Sequence, residues 1–226
     1  MVKSPSSVAT APSPGAPEEV ARKSYNQPCL IAQTLGVLGD RWTLLILRDL
    51  MAGLHRYSDI LENCAGMSPN VLSDRLKRLE ADGLIDRQYF RELPPRVEYT
   101  LTEKGWAVRP ILLSMIEWGR THIGPLDIES VGRDIPADFA VRLVPTFSFH
   151  PERAGELAAT MIIEISDCSD CNTWTFEISE GRLHPRRQAV GHADVRLSTT
   201  TQGFFSFLRG EATAETCGTL EGPPET

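Results

Sequence analysis

Cysteine is scarce and unpaired in number: Cys29, Cys64, Cys168, Cys171 and Cys217 are the five in 226 residues. An odd, scattered set excludes the framework of a small disulfide-stapled domain, so a cytoplasmic protein is the expectation. No apolar run approaches the ~18 residues that suggest a membrane span. No apolar core follows Lys3 at the N-terminus, so no secretory leader is expected either. Signatures of catalysis are missing too: there is no GxSxG, no glycine-rich phosphate loop and no HExxH. His55, His122, His150, His184 and His192 share no motif. Neither an enzyme nor a cofactor is expected. Cys168-x-x-Cys171 has no second CxxC, and only His184 and His192 lie near it. Structural zinc normally wants four ligands, so no metal is expected.

Acid is in excess, with a net charge of −7, but it is unevenly spread. Residues 1–28 carry +1, residues 29–124 are neutral with twelve charges of each sign, and residues 125–226 carry −8. The middle of the chain is the one long region whose balance does not oppose a polyanionic partner, and a neutral total still permits a basic stripe.

What is present is a patterned chain with 41% apolar residues, enough for packed cores. Residues 1–24, rich in Pro, Ser and Ala, read as a disordered tail. Residues 25–124 read as one domain, 125–138 as a linker, 139–213 as a smaller α+β domain and 214–226 as a flexible tail. Leu30, Ile31, Leu35 and Leu38 fall on one face of a first helix. Gly39 breaks it, and Asp40 is expected to cap a second helix over Arg41–Met51. Tyr57, Ile60 and Leu61 place a third near 57–63.

Ser68-Pro69 opens a fourth helix, with Ser as N-cap and Pro at the first helical position. At ~100° per residue, Leu72, Leu76 and Leu79 form its buried stripe. Asn70, Asp74 and Lys77 point away, Ser73 and Arg78 flank them, and Arg75 sits nearer the buried edge. Gly83 suits the left-handed position after the helix. Leu84–Phe90 and Val97–Leu101 alternate as strands, joined by an Arg- and Pro-rich turn. Thr100 or Thr102 then caps a fifth helix to about His122, which Pro110 is expected to kink. Further on, Phe139, Leu143 and Val144 suggest a helix. Ala159–Ser166, Thr173–Glu180 and Ala193–Ser198 suggest strands, and Gln202–Arg209 an amphipathic helix.

Three helices, a capped polar helix, a glycine, a hairpin and a capped helix form the layout of a winged helix-turn-helix. Reading bases needs an element narrow enough for the major groove with donors on its outer face. Ser68, Asn70, Ser73, Arg75, Lys77 and Arg78 are the residues expected to supply it. Arg87, Arg91 and Arg96 are expected to grip phosphates from the wing, which Pro94 and Pro95 stiffen. Fold alone does not prove DNA binding, since winged helices also serve as dimerisation modules.

These residues also carry a family likeness. Cys29, Leu38-Gly39-Asp40-Arg41-Trp42, Arg56-Tyr57 and the leucine spacing from Leu72 to Gly83-Leu84 fall in one order. Pro94-Pro95, Glu98-Tyr99, Leu101-Thr102, Gly105 and Trp118 continue it. Over Cys29–His122 the chain strongly resembles the HxlR family of bacterial regulators, relatives of the MarR-type winged helices. The resemblance implies a homodimer joined through terminal helices and bound to a palindromic operator in double-stranded DNA, more commonly as a repressor. Ile111, Leu112, Met115, Ile116 and Trp118 form an apolar stripe that suits the dimer surface, or packing within the chain. Cys29 aligns with a cysteine that some relatives use to sense oxidants, and a structural role fits it too.

Asn172–Gly181, Ala193–Leu197 and Phe204–Gly210 resemble the sterol-carrier-protein type fold. That likeness implies an apolar small-molecule or lipid-like ligand, with a closed tunnel in doubt because little follows Gly210. The expected fold class is thus α+β, an N-terminal winged helix followed by a smaller sterol-carrier-like domain. The leading function is a dimeric DNA-binding regulator. A lipid or acyl-ligand carrier that dimerises through its winged helix and a Cys29 thiol switch are its rivals.

Overall fold

The computed structural model describes residues 25–91, 95–124, 137–167, 173–189, 191–208 and 210–222. The chain divides into two units, Met1–Gly39 and Asp40–Thr226. In the first, α1 spans Leu30–Leu38. Its first turn closes with Gln33 N–H donating to the Cys29 carbonyl at 3.0 Å, and it ends with Gly39 N–H on the Leu35 carbonyl at 2.8 Å. Leu30, Ile31 and Leu35 are exposed.

The second unit opens with α2 (Thr43–Met51), α3 (Tyr57–Asn63) and α4 (Pro69–Ala81). Helix α2 is central: Ile46, Leu47, Leu50 and Met51 are fully buried. It starts two residues later than the sequence predicts, and Asp40 does not cap it. Only the Asp40 carbonyl meets Thr43 N–H, at 3.1 Å, while its carboxylate pairs with Arg75. An ion pair to a half-buried guanidinium outcompetes the cap. Helix α4 follows its sequence signals closely. Ser68 Oγ accepts from Val71 N–H at 3.4 Å, and Leu72, Leu76 and Leu79 are buried. Gly83 (φ +68°) ends it as a Schellman cap, with Leu84 N–H on the Leu79 carbonyl and Gly83 N–H on the Glu80 carbonyl, both at 2.9 Å.

The wing pairs β1 (Ile85–Phe90) with β2 (Arg96–Leu101), Ile85 opposite Leu101 and Phe90 opposite Arg96. A third segment adds to β2: Arg56 bridges Glu98, and Tyr99 N–H donates to the His55 carbonyl at 2.8 Å. Past the wing, the single kinked helix predicted from 103 to 122 is two helices, α5 (Glu103–Trp106) and α6 (Arg109–His122). Thr102 caps α5, accepting from Gly105 N–H at 3.1 Å. Pro110 lies in the first turn of α6, where a missing N–H costs no helical bond, so it starts a helix instead of kinking one.

The remainder is a five-stranded mixed sheet in the order β5-β4-β3-β6-β7. Its strands are β3 (Ala159–Ile165), β4 (Thr173–Ser179), β5 (Arg182–Arg187), β6 (Val195–Thr199) and β7 (Gly218–Glu221), with α7 (Ala137–Ser148), α8 (Pro151–Ala154), α9 (Thr201–Leu208) and α10 (Ala214–Cys217). β3, β4 and β5 form an antiparallel meander, β6 runs parallel to β3, and β7 closes the edge antiparallel to β6. The central strands bury consecutive residues, Ile162-Ile163 and Trp174-Thr175-Phe176, so both faces of the sheet are covered there.

Two expectations are corrected here and one strand is added. Helix α7 begins inside the expected linker. Strand β5 is an addition to the three expected strands; it carries Pro185 and occupies the sheet edge, where a missing donor is tolerated. Residues 214–221 form α10 and β7 where a flexible tail was expected. Gly218 lets β7 start hard against β6, since a side chain there would strike the Ser198 carbonyl.

Within this unit the winged part and the sheet part share a buried polar seam. Asp49 on α2 and Arg142 on α7 are both fully buried, with Arg142 Nη1 3.4 Å from Asp49 Oδ1. Asn63 donates to Asp49 Oδ2 at 2.7 Å and accepts from Arg142 Nη2. Arg142 Nε faces Asp138 Oδ2 at 3.6 Å, and Asp138 Oδ1 accepts from Trp174 Nε1 at 2.7 Å. Burial lowers the Arg142 pKa while Asp49 and Asp138 oppose the shift. Beside the seam, Gly53 (φ +84°) would drive any side chain into the Pro185 carbonyl of β5.

Candidate nucleic-acid interface

Helix α4 presents its outer face to solvent. Asn70 and Lys77 are exposed, with Val71 beside them and Asp74 half-buried between. The N-terminal turn of α4 is held by Tyr57 of α3, whose hydroxyl donates to the Pro69 carbonyl at 2.7 Å and lies 3.2 Å from Ser73 Oγ. Ser73 is thus engaged in fixing the angle between α3 and α4. Ser68, exposed, serves as the cap. Arg78 pairs with Asp74 at 3.2 Å, one turn back, and keeps partial exposure.

Arg75 departs from its expected role. It is half-buried, is ion-paired to Asp40 and lies 3.7 Å from Asp74, and burial, then the neighbouring Arg78, pull its pKa down. It braces the start of α2 against α4. A phosphate would have to compete with Asp40 for it. The expected set of six therefore resolves into two exposed donors, Asn70 and Lys77, one loosely paired arginine, Arg78, and three residues with structural employment.

On the wing, Arg87 and Arg91 are exposed. Arg96 is bound in place, its guanidinium 4.5 Å from the Phe90 ring centroid and its Nε 3.2 Å from Glu98. Pro94 lies outside the described residues. Arg56 is an addition to the predicted surface. It is exposed at the entry to α3 and is tied to β2 through the bridge to Glu98. The sequence marks it only through the Arg56-Tyr57 pair of the family likeness, because the single bridge that places it is made to a residue 42 positions away. Next to it, burial lowers the His55 pKa, against the Tyr99 carbonyl and Glu98, which raise it. His55 Nδ1 lies 3.0 Å from that carbonyl.

The stripe on α6 splits. Trp118 is 60% exposed, Met115 52%, Ile116 51% and Ile111 39%, whereas Leu112 is only 7% exposed. Leu112 belongs to the chain's own core, a correction to its place in the expected dimer surface. Ile111, Met115 and Trp118 recur at three- and four-residue spacing and so share one face. The Trp118 ring leans on His122 with centroids 5.2 Å apart.

Cys29 is exposed, Cys64 buried and Cys217 intermediate. Burial, then the Asp49 carboxylate, push the Cys64 thiol up to about 12, which leaves it inert. Cys168 and Cys171 lie outside the described residues. Among the described residues no cluster of three or more His, Cys, Asp or Glu could hold a metal. None of the described helices is long and apolar enough on its own to cross a membrane.

Residues 37–127 match the family model for an HxlR-like helix-turn-helix. The HTH-type transcriptional regulator YybR of Bacillus subtilis (strain 168) is 35% identical over 94 residues, 42% of this chain and 75% of that protein. The HTH-type transcriptional regulator YodB of the same organism is 40% identical over 91 residues, 40% of this chain and 81% of that protein. A solved MarR-family regulator from Enterococcus faecalis V583 is 40% identical, covers 41% of this chain and 84% of its own, and superposes with a TM-score of 0.38.

Proposed function

The chain belongs to the HxlR-like helix-turn-helix family of transcriptional regulators, and from that premise we propose that it is a homodimeric, sequence-specific DNA-binding repressor. The observation that carries this reading is the outer face of α4. Asn70 and Lys77 stand exposed on a helix capped at both ends, next to a wing that offers Arg87 and Arg91. Asn pairs with adenine and Lys with guanine in the major groove, while the wing arginines and Arg56 suit phosphates. The exposed apolar face of α6 supports a second copy as partner. Two-fold symmetry would then set two α4 helices about 34–36 Å apart, which demands a palindromic operator.

The test is a random-site selection with the full-length protein, followed by titration of the selected duplex at several salt concentrations. Each phosphate left without its cationic partner should lower the salt slope by about 0.9. Asn70→Ala/Lys77→Ala should weaken binding to the selected site at least tenfold. Equal affinity of the variant and the parent would overturn the assignment of α4.

Two further parts of the reading rest on separate observations. Residues 137–222 are read as a sterol-carrier-like domain from their mixed sheet covered by helices, and native mass spectrometry for a co-purified lipid tests this. Cys29 is the exposed one of the described cysteines, which supports a thiol switch as a second control. Cys29→Ser should then bind DNA normally and ignore oxidant, and a variant that still responds removes Cys29 as the switch.

A further inference from the structure

The winged part and the sheet part also meet away from the Asp49–Arg142 seam. There α5, the start of α6, the end of α7 and the turn from β4 to β5 line an open cleft of about 380 Å³. That is within the ~300–1,000 Å³ range of small-molecule sites. Its walls are largely apolar, with Trp106, Pro110, Phe149 and Leu183 among them. The Trp106 ring meets His184 edge-on, with centroids 6.4 Å apart.

Two guanidinium groups line the cleft, and they differ in how their charge is met. Arg182 is neutralised by Glu103 through two bonds of 2.8 and 2.7 Å. Arg109 directs Nη2 at two backbone carbonyls, Thr146 at 3.0 Å and Phe149 at 2.8 Å. Among the described residues no carboxylate lies within ion-pairing distance of it. The carbonyls engage Nη2 alone among the guanidinium nitrogens, and they bring no counter-charge. Burial lowers its pKa, and the Glu152 carboxylate, beyond ion-pairing distance, opposes that shift. Glu180, the remaining acid in the lining, sits exposed at the β4–β5 turn.

We infer that this cleft binds a planar, apolar monocarboxylate, with its ring against Trp106 and Phe149 and its carboxylate on Arg109. A bound carboxylate supplies in direct contact the charge that the two carbonyls cannot and that Glu152 offers only from a distance, and a charge-assisted bond is the stronger kind. The position gives such a ligand leverage. Trp106 ends α5, which follows the wing through Thr102, and the Thr102 hydroxyl donates to the Gly83 carbonyl behind α4 at 2.7 Å. Arg109 opens α6. An occupant therefore touches the joint between the wing and the exposed apolar helix, and it shifts DNA affinity to the extent that it prefers one arrangement of that joint. That coupling rests on the regulator reading above; occupancy of the cleft does not.

The experiment is calorimetric titration of the DNA-free, full-length protein with 1-naphthoate and with the neutral 1-naphthalenemethanol. The acid should bind at one saturable site per chain, at least tenfold tighter than the alcohol. Arg109→Met should erase that preference, and Ala107→Trp, which fills the cleft from an exposed position, should block both ligands with an unchanged circular dichroism spectrum. If Arg109→Met does not fold, the acid-to-alcohol ratio and Ala107→Trp decide. No saturable binding of the acid, equal binding of acid and alcohol, or full binding by Ala107→Trp overturns the site. None of these readings involves DNA, so a failed DNA assay leaves them intact.

Discussion

Asn70 and Lys77 on α4 stand in water, whereas Asp49 and Arg142 in the seam between α2 and α7 have no solvent at all. Similar side chains serve opposite ends in the two places. At the seam every charge is answered by another group of the chain, so the polar residues specify how the sheet part docks on the winged part. On α4 the donors await a partner from outside. The same contrast runs through the arginines of the predicted DNA surface: Arg75 and Arg96 are held by Asp40 and Glu98, while Arg87 and Arg91 project.

The contrast predicts which substitutions cost stability and which cost binding. Arg142→Met should have the largest effect, about 3–5 kcal/mol in urea unfolding, because it strands Asp49 as a buried, unpaired charge. Replacing both partners, as Asp49→Leu/Arg142→Met, should recover much of that loss. A double variant as unstable as the single one would show that the seam acts through packing and not through charge. On α6 the same division holds within one helix. Leu112→Ala should cost about 2–5 kcal/mol of stability. Trp118→Glu should leave the subunit folded and shift sedimentation towards monomer.

Asn70→Ala/Lys77→Ala comes next. DNA affinity should fall by about 1–3 kcal/mol for each base that is no longer read, with stability within ~0.5 kcal/mol of the parent. The smallest effect is a pH dependence at His55. Its folded pKa lies below its ordinary value of 6.5, so the unfolded chain takes up the proton first. Its contribution is complete above about pH 6.5 and is lost as pH falls from there towards the folded value. His55→Gln should flatten the parent's decline in stability across that window.

The winged part was largely legible because its signals are local. Ser68, Pro69 and Gly83 mark the ends of α4, and Leu72, Leu76 and Leu79 mark its buried side, all within sixteen residues. Where reading failed, a long-range partner decided. Asp40 looked like a cap until Arg75, 35 residues on, claimed its carboxylate. Leu112 was indistinguishable in type from Met115 and Ile116, and only the packing of α6 sorted them. Arg142 carried no sign that it would be buried, since its partners Asp49 and Asn63 lie 93 and 79 residues away. Strand β5 has no clear apolar alternation of its own and contains Pro185, which its edge position tolerates.

Everything proposed for DNA turns on α4 as the reading element. The most direct measurement is the affinity of Asn70→Ala/Lys77→Ala for a duplex selected by the parent protein, against a scrambled duplex, at fixed salt. The expected result is that the preference between the two duplexes collapses while binding to the scrambled duplex changes little. A variant that keeps the parent's preference would contradict it, and would move sequence reading to another part of the chain.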